Sequence, residues 1–342
     1  MPMELKDRNI SWINYVRAVC IFLVFFIHTE NRAHFEFLGR TLDVFFRPFY
    51  VNAFFIVSGY LLYKKQELIF QKVKTTRDWF KDYGVNYLQN IFFKLIIPSI
   101  IFSLVIFFPK MMIRHQPIDL MTMLKQTIGG ETMWFVSALV VAQLLIFIPL
   151  LFRNLSLMLW GGYGVSCFVL ATVLHNWGYE NFPWYYQSGL SAVFFIWLGC
   201  FFYKVENFGI FRMKFLWICV LVSYLLVAYN VPFLMDLSYM RTDVIGILLC
   251  LVSSVVLIFF CKRIQPNRIV EKIGRSTIGL YFLSGAVPEV VSILTKRFLE
   301  LNSIVFLIVV LVSFALSVFL NEIMLKYVGF VFDLRNFSFK HE

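Results

Sequence analysis

Residues 17–28 read RAVCIFLVFFIH, from Arg17 to His28. Ten uncharged, mostly apolar residues separate a cation from an imidazole. On an α-helix, eleven steps of 100° make three turns plus about 20°, so both side chains fall on one face. The rise between them is about 16 Å, roughly half the hydrocarbon thickness of a bilayer. The stretch predicts a membrane helix with a positive charge at one depth and a proton acceptor at another.

The rest of the chain extends that reading. Of 342 residues, 60% are hydrophobic and 15% charged, with 41 phenylalanines. A soluble domain is nearer half apolar and a quarter charged. The expected fold class is all-α, a polytopic transmembrane helical bundle that forms a single integral membrane domain over residues 1–342. That leaves no room for a sizeable soluble domain. About ten helices are predicted, at roughly 11–29, 45–63, 86–108, 133–152, 157–174, 186–203, 214–230, 243–261, 276–295 and 303–325. Aromatic residues crowd several ends, as at Trp177, Trp184, Tyr185 and Tyr186, which fits interfacial belts. The first apolar run lacks a small-x-small cleavage site before Glu30-Asn31-Arg32, so it is expected to be a retained helix.

The net charge is +11. Basic residues cluster in short loops, about twice as many on the side that an even helix count gives to both termini. The positive-inside rule then predicts a multi-pass protein of the cell (inner) membrane with cytoplasmic termini. Arg17 lies toward the cytoplasm and His28 toward the outer leaflet. The same clustering, with no nucleic-acid motif present, argues against nucleic acid as a partner. Residues 64–89 are expected to form a polar, basic inner loop, with a short surface helix allowed within it. It is either a stop-transfer segment or a landing site for an anionic ligand such as a coenzyme phosphate. Lys94 precedes Pro98 by four residues in the third helix, which the proline should kink. Lys94 either snorkels to the surface or points into the bundle beside Arg17. The six cysteines show no CxxC spacing and read as packing residues, and no metal site is expected.

From spacing alone, catalysis and packing account equally well for His28. Ionisable groups retained inside membranes are usually functional, and a second one on the same face strengthens that side. A neutral imidazole accepts a hydroxyl proton near physiological pH, whereas arginine binds phosphate through a fixed fork of donors. The pair therefore suits a reaction between a phosphate-bearing donor from one side and a hydroxyl acceptor from the other. Acyl transfer across the membrane has that form. The chain contains no HExxH, GxSxG or P-loop, so metal hydrolysis and ATP-driven pumping have no support. The alternative is a transporter or flippase of a glycan or lipid intermediate, with Arg17 and His28 lining the path. Against it stand the lack of a repeated half and the scarcity of mid-membrane acidic residues.

Arg17 and His28 at this spacing resemble the arginine–histidine signature of the acyltransferase 3 family of membrane acyltransferases. Phe54-Phe55-Ile56-Val57-Ser58-Gly59-Tyr60 resembles that family's second-helix motif. Trp134-Phe135-Val136-Ser137-Ala138-Leu139 resembles its tryptophan-led fourth-helix motif, and Ser276-Thr277-Ile278-Gly279-Leu280-Tyr281 a late motif ending in tyrosine. The four occur in order over nearly the whole chain. The resemblance implies transfer of a short acyl group, often acetyl, from acyl-CoA as co-substrate to a hydroxyl of a carbohydrate or lipid-linked acceptor. No permanently bound cofactor is implied. By the same resemblance His28 is the catalytic base and Arg17 helps hold the donor, with Lys94 beside it. Direct transfer and an acyl-histidine route both stay open. The chain departs from the pattern at Asn52, where many members carry an acidic residue, at Lys94, where many carry paired arginines, and at Ser284, where a histidine is common.

Four further residues are candidates for substrate contact. Glu131, after Gly129-Gly130, would orient an acceptor sugar or simply be solvated. Trp134 would stack on a sugar ring or anchor the interface. Tyr281 would donate a hydrogen bond in the pocket or line the bundle, and Asn52 stands at the family's acidic position. Ser58 and Gly59 read as a close helix contact. The expected partners are acyl-CoA, the acceptor and membrane lipid, with homo-oligomers allowed.

Overall fold

The computed structural model describes residues 10–33, 46–73, 75–113, 117–152, 156–206, 217–218, 220–225, 244–300 and 302–333. Among these residues all regular structure is helical. We number the helices α1 (Ser11–Ala33), α2 (Asn52–Phe70), α3 (Thr76–Met112), α4 (Leu120–Thr127), α5 (Trp134–Leu150) and α6 (Leu157–Asn176). They continue as α7 (Tyr186–Val205), α8 (Val244–Arg263), α9 (Arg268–Arg275), α10 (Thr277–Ser284), α11 (Val287–Lys296) and α12 (Ser303–Tyr327). Asn267 and Asn302 open α9 and α12 by accepting backbone N–H bonds through Oδ1, which satisfies orphan donors of the first turn.

The bundle is membrane-spanning, but the expectation of about ten spans is not met among the described residues. Six helices are long and apolar enough to cross a bilayer: α1, α3, α6, α7, α8 and α12. The pair α10 and α11 makes a seventh if its 43° bend is taken as one broken span. Helix α5 is apolar but has only 17 residues, short of the ~20 a straight crossing needs. Helix α2 carries Lys64, Lys65 and Glu67 in its last two turns. Most of the helix expected at 214–230 lies outside the described residues.

The stretch 64–89 is helical over most of its described length, which goes beyond the short surface helix that the sequence allowed. Helix α2 runs on to Phe70, and the Thr75 hydroxyl caps the start of α3 by accepting the Asp78 N–H at 3.1 Å. Between the two helices, described residues 71–73 and 75 are not helical. Most polar residues of this stretch still occupy helix, because they face outward while Trp79, Gly84 and Ile91 are buried; Gln66 is the buried exception. Pro98 does not simply kink its helix. A π-turn at Phe92–Ile96 precedes it, where the proline ring would otherwise clash with the carbonyl of Lys94.

Helix α1 is the centre of the bundle. Its apolar window is 72% buried against 28% for α6, and it packs on α2, α8, α9, α10, α11 and α12. Phe25 and Ile21 are fully buried on it; truncating such a phenylalanine to alanine costs about 3–5 kcal/mol. The most extensive helix pair is α2 with α7. There a Cβ on Gly59 would sit 1.8 Å from the Ile196 carbonyl oxygen, and one on Gly199 would sit 1.9 Å from the Ile56 oxygen. The two backbones cross where neither helix has a side chain. Packing of this kind holds helices together where lipid removes the hydrophobic drive.

At the Trp12 end of α1 the bundle is tied by paired charges. Lys262 of α8 meets Glu206, just past α7, at 2.5 Å, and the same carboxylate accepts the Tyr60 hydroxyl at 2.7 Å. The Lys262 ammonium lies 4.8 Å from the Trp12 ring centre and 4.8 Å from that of Phe202, a cation–π arrangement. Nearby, Glu67 binds Lys204 at 2.6 Å and accepts the Tyr203 hydroxyl at 3.0 Å.

Candidate active site

The other end of α1 is built differently. His28 Nδ1 lies 2.8 Å from the main-chain oxygen of Ser284, the last residue of α10. A carbonyl only accepts, so Nδ1 carries the proton of the neutral ring and Nε2 carries the lone pair. The next residue, Thr29, is satisfied within α1 by donating to the Phe25 carbonyl at 2.8 Å.

His28 opens on a cleft walled by Val24, Tyr50, Val51, Phe54, Trp134, Phe135 and Tyr281. Its free volume is about 10 Å³, room for about one water. The walls are aromatic, with the Phe135 ring 5.4 Å from Phe54 and 5.3 Å from Tyr281. A donor and an acceptor can meet at His28 only if these rings part.

Tyr281 is buried, and its hydroxyl oxygen accepts the Phe135 N–H at 3.2 Å. That amide is one of the orphan donors in the first turn of α5. With the oxygen occupied by this donor, the Tyr281 proton is directed elsewhere. Helix α10 thus supplies two groups to the cleft, a tyrosine hydroxyl and, three residues later, the carbonyl that holds His28. Trp134 is half-buried, with its ring 6.0 Å from that of Tyr185. Trp184 and Tyr185 take the left-handed region at φ 60° and 49°, which costs about 1–3 kcal/mol for each such side chain. The Trp184 N–H donates to the Gly129 carbonyl at 2.9 Å, and Asn181 Oδ1 accepts the Gln187 N–H at 2.9 Å. These bonds hold the strained turn against the mouth of the cleft.

The structure brings His28, Trp134 and Tyr281 together. Arg17 is half-buried on α1, three turns from His28, and is not among the cleft's walls. Lys94 does not reach the cleft either. Its side chain is 48% exposed and pairs with Asp333 at 3.5 Å, beside the 3₁₀ turn Gly329–Phe332. Glu131 is exposed in the turn before α5. Asn52 is buried in the first turn of α2; its Nδ2 donates to the Pro48 carbonyl at 2.8 Å, while Oδ1 has no hydrogen-bond partner. Its neighbours Val51 and Phe54 wall the cleft, but Asn52 does not.

Sequence reasoning did not find the Ser284 carbonyl, the Phe135 amide or Tyr50. The first two are backbone atoms, which residue identity does not advertise. Among the described residues no group of three or more histidine, cysteine or acidic side chains could hold a metal ion. Cys20, Cys167, Cys200, Cys250 and Cys261 are buried free thiols, as packing residues should be. Cys219, His34, His115 and His341 lie outside the described residues.

Fold and site together define a polytopic helical membrane protein with a histidine-bearing cleft between its spans. The acyltransferase domain family of type 3 matches residues 10–322, nearly the whole chain, and the protein belongs to that family of membrane acyltransferases. No curated protein and no solved structure matches the chain at a significant level.

Proposed function

We propose that the protein moves a short acyl group, acetyl in the first instance, from acyl-CoA to a hydroxyl of a carbohydrate or lipid-linked acceptor. The observation that carries this reading is the His28 Nδ1 bond to the Ser284 carbonyl at 2.8 Å. It leaves Nε2 as the basic nitrogen of a ring that shares its cleft with Tyr281 and Trp134.

The chemistry balances without a resident cofactor. Nε2 takes the acceptor hydroxyl proton as that oxygen attacks the thioester carbonyl carbon. The Tyr281 hydroxyl donates to the oxyanion that develops there. The C–S bond then breaks, and the imidazolium returns its proton to the departing thiolate. Arg17 lies about 16 Å along α1 from the base, where a guanidinium would grip the donor's phosphates. Lys94 would add charge for that anion on leaving Asp333. Trp134 offers a face for a sugar ring and Glu131 flanks the acceptor's approach, while Asn52, buried behind Val51 and Phe54, would act on the acceptor only through them. Both termini are cytoplasmic in this scheme, so the donor arrives from the cell interior.

The test is transfer of label from radiolabelled acetyl-CoA to endogenous acceptor in membranes containing the protein. Wild-type membranes should incorporate label and His28→Ala membranes should not. Undiminished incorporation by His28→Ala would rule the mechanism out.

A further inference from the structure

The Ser284 carbonyl is available to His28 for a reason written four residues downstream. In a continuous helix the carbonyl of residue i accepts the N–H of residue i+4. The residue four after Ser284 is Pro288, which has no N–H. Pro288 occupies the first turn of α11, where a missing amide proton costs α11 nothing. The loss falls instead on Ser284, whose oxygen has no intrahelical donor and is met by His28 Nδ1 at 2.8 Å. The chain bends by 43° at this break, and Ala286 N–H closes onto Leu283, not onto Ser284. Pro288 is itself buried, and its own carbonyl is used locally, accepting the Ser292 hydroxyl at 2.6 Å.

We infer that Pro288 is a positioning residue for the acyl transfer: by withholding an amide proton it reserves the Ser284 carbonyl for His28 and so fixes which imidazole nitrogen is the base. This rests on the reading of His28 as general base. Which ring nitrogen is protonated is set by the hydrogen bond the other makes. A competing amide at position 288 would draw the Ser284 oxygen into the helix, and the imidazole would lose a bond that holds its proton on Nδ1. The proline does not touch substrate and acts only through the carbonyl and the ring.

The experiment is histidine-selective ¹⁵N NMR of the full-length protein in nanodiscs, with His28→Asn to assign the signal, beside acetyl-transfer kinetics. Wild type should show His28 as the Nδ1–H tautomer, a measurement that needs no variant of Pro288 to fold. Pro288→Ala should shift the tautomer ratio toward Nε2–H and lower kcat about 10- to 100-fold, the range seen when a metal-bound histidine loses its outer partner. KM for acetyl-CoA should stay the same, because no donor contact is removed. An Nε2–H tautomer in wild type would overturn the inference. So would Pro288→Ala protein that keeps both the wild-type tautomer and the wild-type kcat. An altered tautomer with unchanged kcat would instead refute the base role of His28, while confirming that Pro288 sets the ring.

Discussion

The two ends of α1 handle polar groups in opposite ways. At the Trp12 end, charge meets charge: Lys262 with Glu206, and Lys204 with Glu67, each backed by a tyrosine hydroxyl. At the His28 end a single imidazole meets a main-chain carbonyl, and a tyrosine oxygen meets a main-chain amide. A neutralised ion pair has little left to offer a reactant and serves to hold helices. An imidazole that donates through Nδ1 to a carbonyl has Nε2 as its basic nitrogen. The contrast separates residues that tie the bundle from residues that can transform a substrate, though all are polar groups within one helical core.

Four substitutions test that separation. His28→Ala should lower acetyl transfer by about 10²- to 10⁴-fold, with the thermal midpoint of the purified protein unchanged. Loss of stability with retained specific activity would merge the two ends. Tyr281→Phe should cost about 10²-fold in kcat if the hydroxyl meets a developing oxyanion, with KM for either substrate little changed. A rise in KM alone would make it a ground-state contact. Glu206→Gln should act in the reverse sense. It strands Lys262, whose side chain is 23% exposed, so the penalty falls below the 3–5 kcal/mol of a fully buried pair, at about 2 kcal/mol. A lower melting temperature with normal activity per folded molecule is the expected outcome. Glu67→Gln should be mildest. Its pair with Lys204 is 35–44% exposed, and such bridges contribute about 0–1 kcal/mol; a shift of the midpoint as large as that from Glu206→Gln would contradict the ranking.

The helical class and the central role of the first apolar run were legible because hydrophobic runs with few charges leave no other solution in a bilayer. The shared face of Arg17 and His28 followed from helical geometry alone. Gly59 was readable as a close contact, and it meets the backbone of Ile196. Its partner Gly199 was not, since one sequence does not say which glycines face each other. Lys94 shows a different limit. Either fate was open, and the outcome turned on Asp333, 239 residues away in the chain. The stretch 64–89 reads as loop with at most a short surface helix because polar residues dominate it, yet a helix that leaves the core keeps its backbone bonds and only changes what its outer face touches. The carbonyl of Ser284 was hidden for a simpler reason. The position drew attention through the side chain that stands there, while the atom that matters is one every residue has. The visible clue was a proline four places on, whose effect appears only once His28 is known to lie opposite.

The third helix has one more consequence. Thr76–Met112 holds 37 residues, about 55 Å of rise against a hydrocarbon slab of about 30 Å. Close to half of it must project beyond the lipid or lie along its surface. Each of its two π-turns, at Phe80–Gly84 and Phe92–Ile96, adds one residue to a turn and so swivels everything beyond it by about 100°. Deleting a single residue from the second π-turn would restore an ordinary spiral and swing the projecting arm by a quarter-circle, leaving the portion beyond Pro98 where Phe102 stacks on Phe282 of α10.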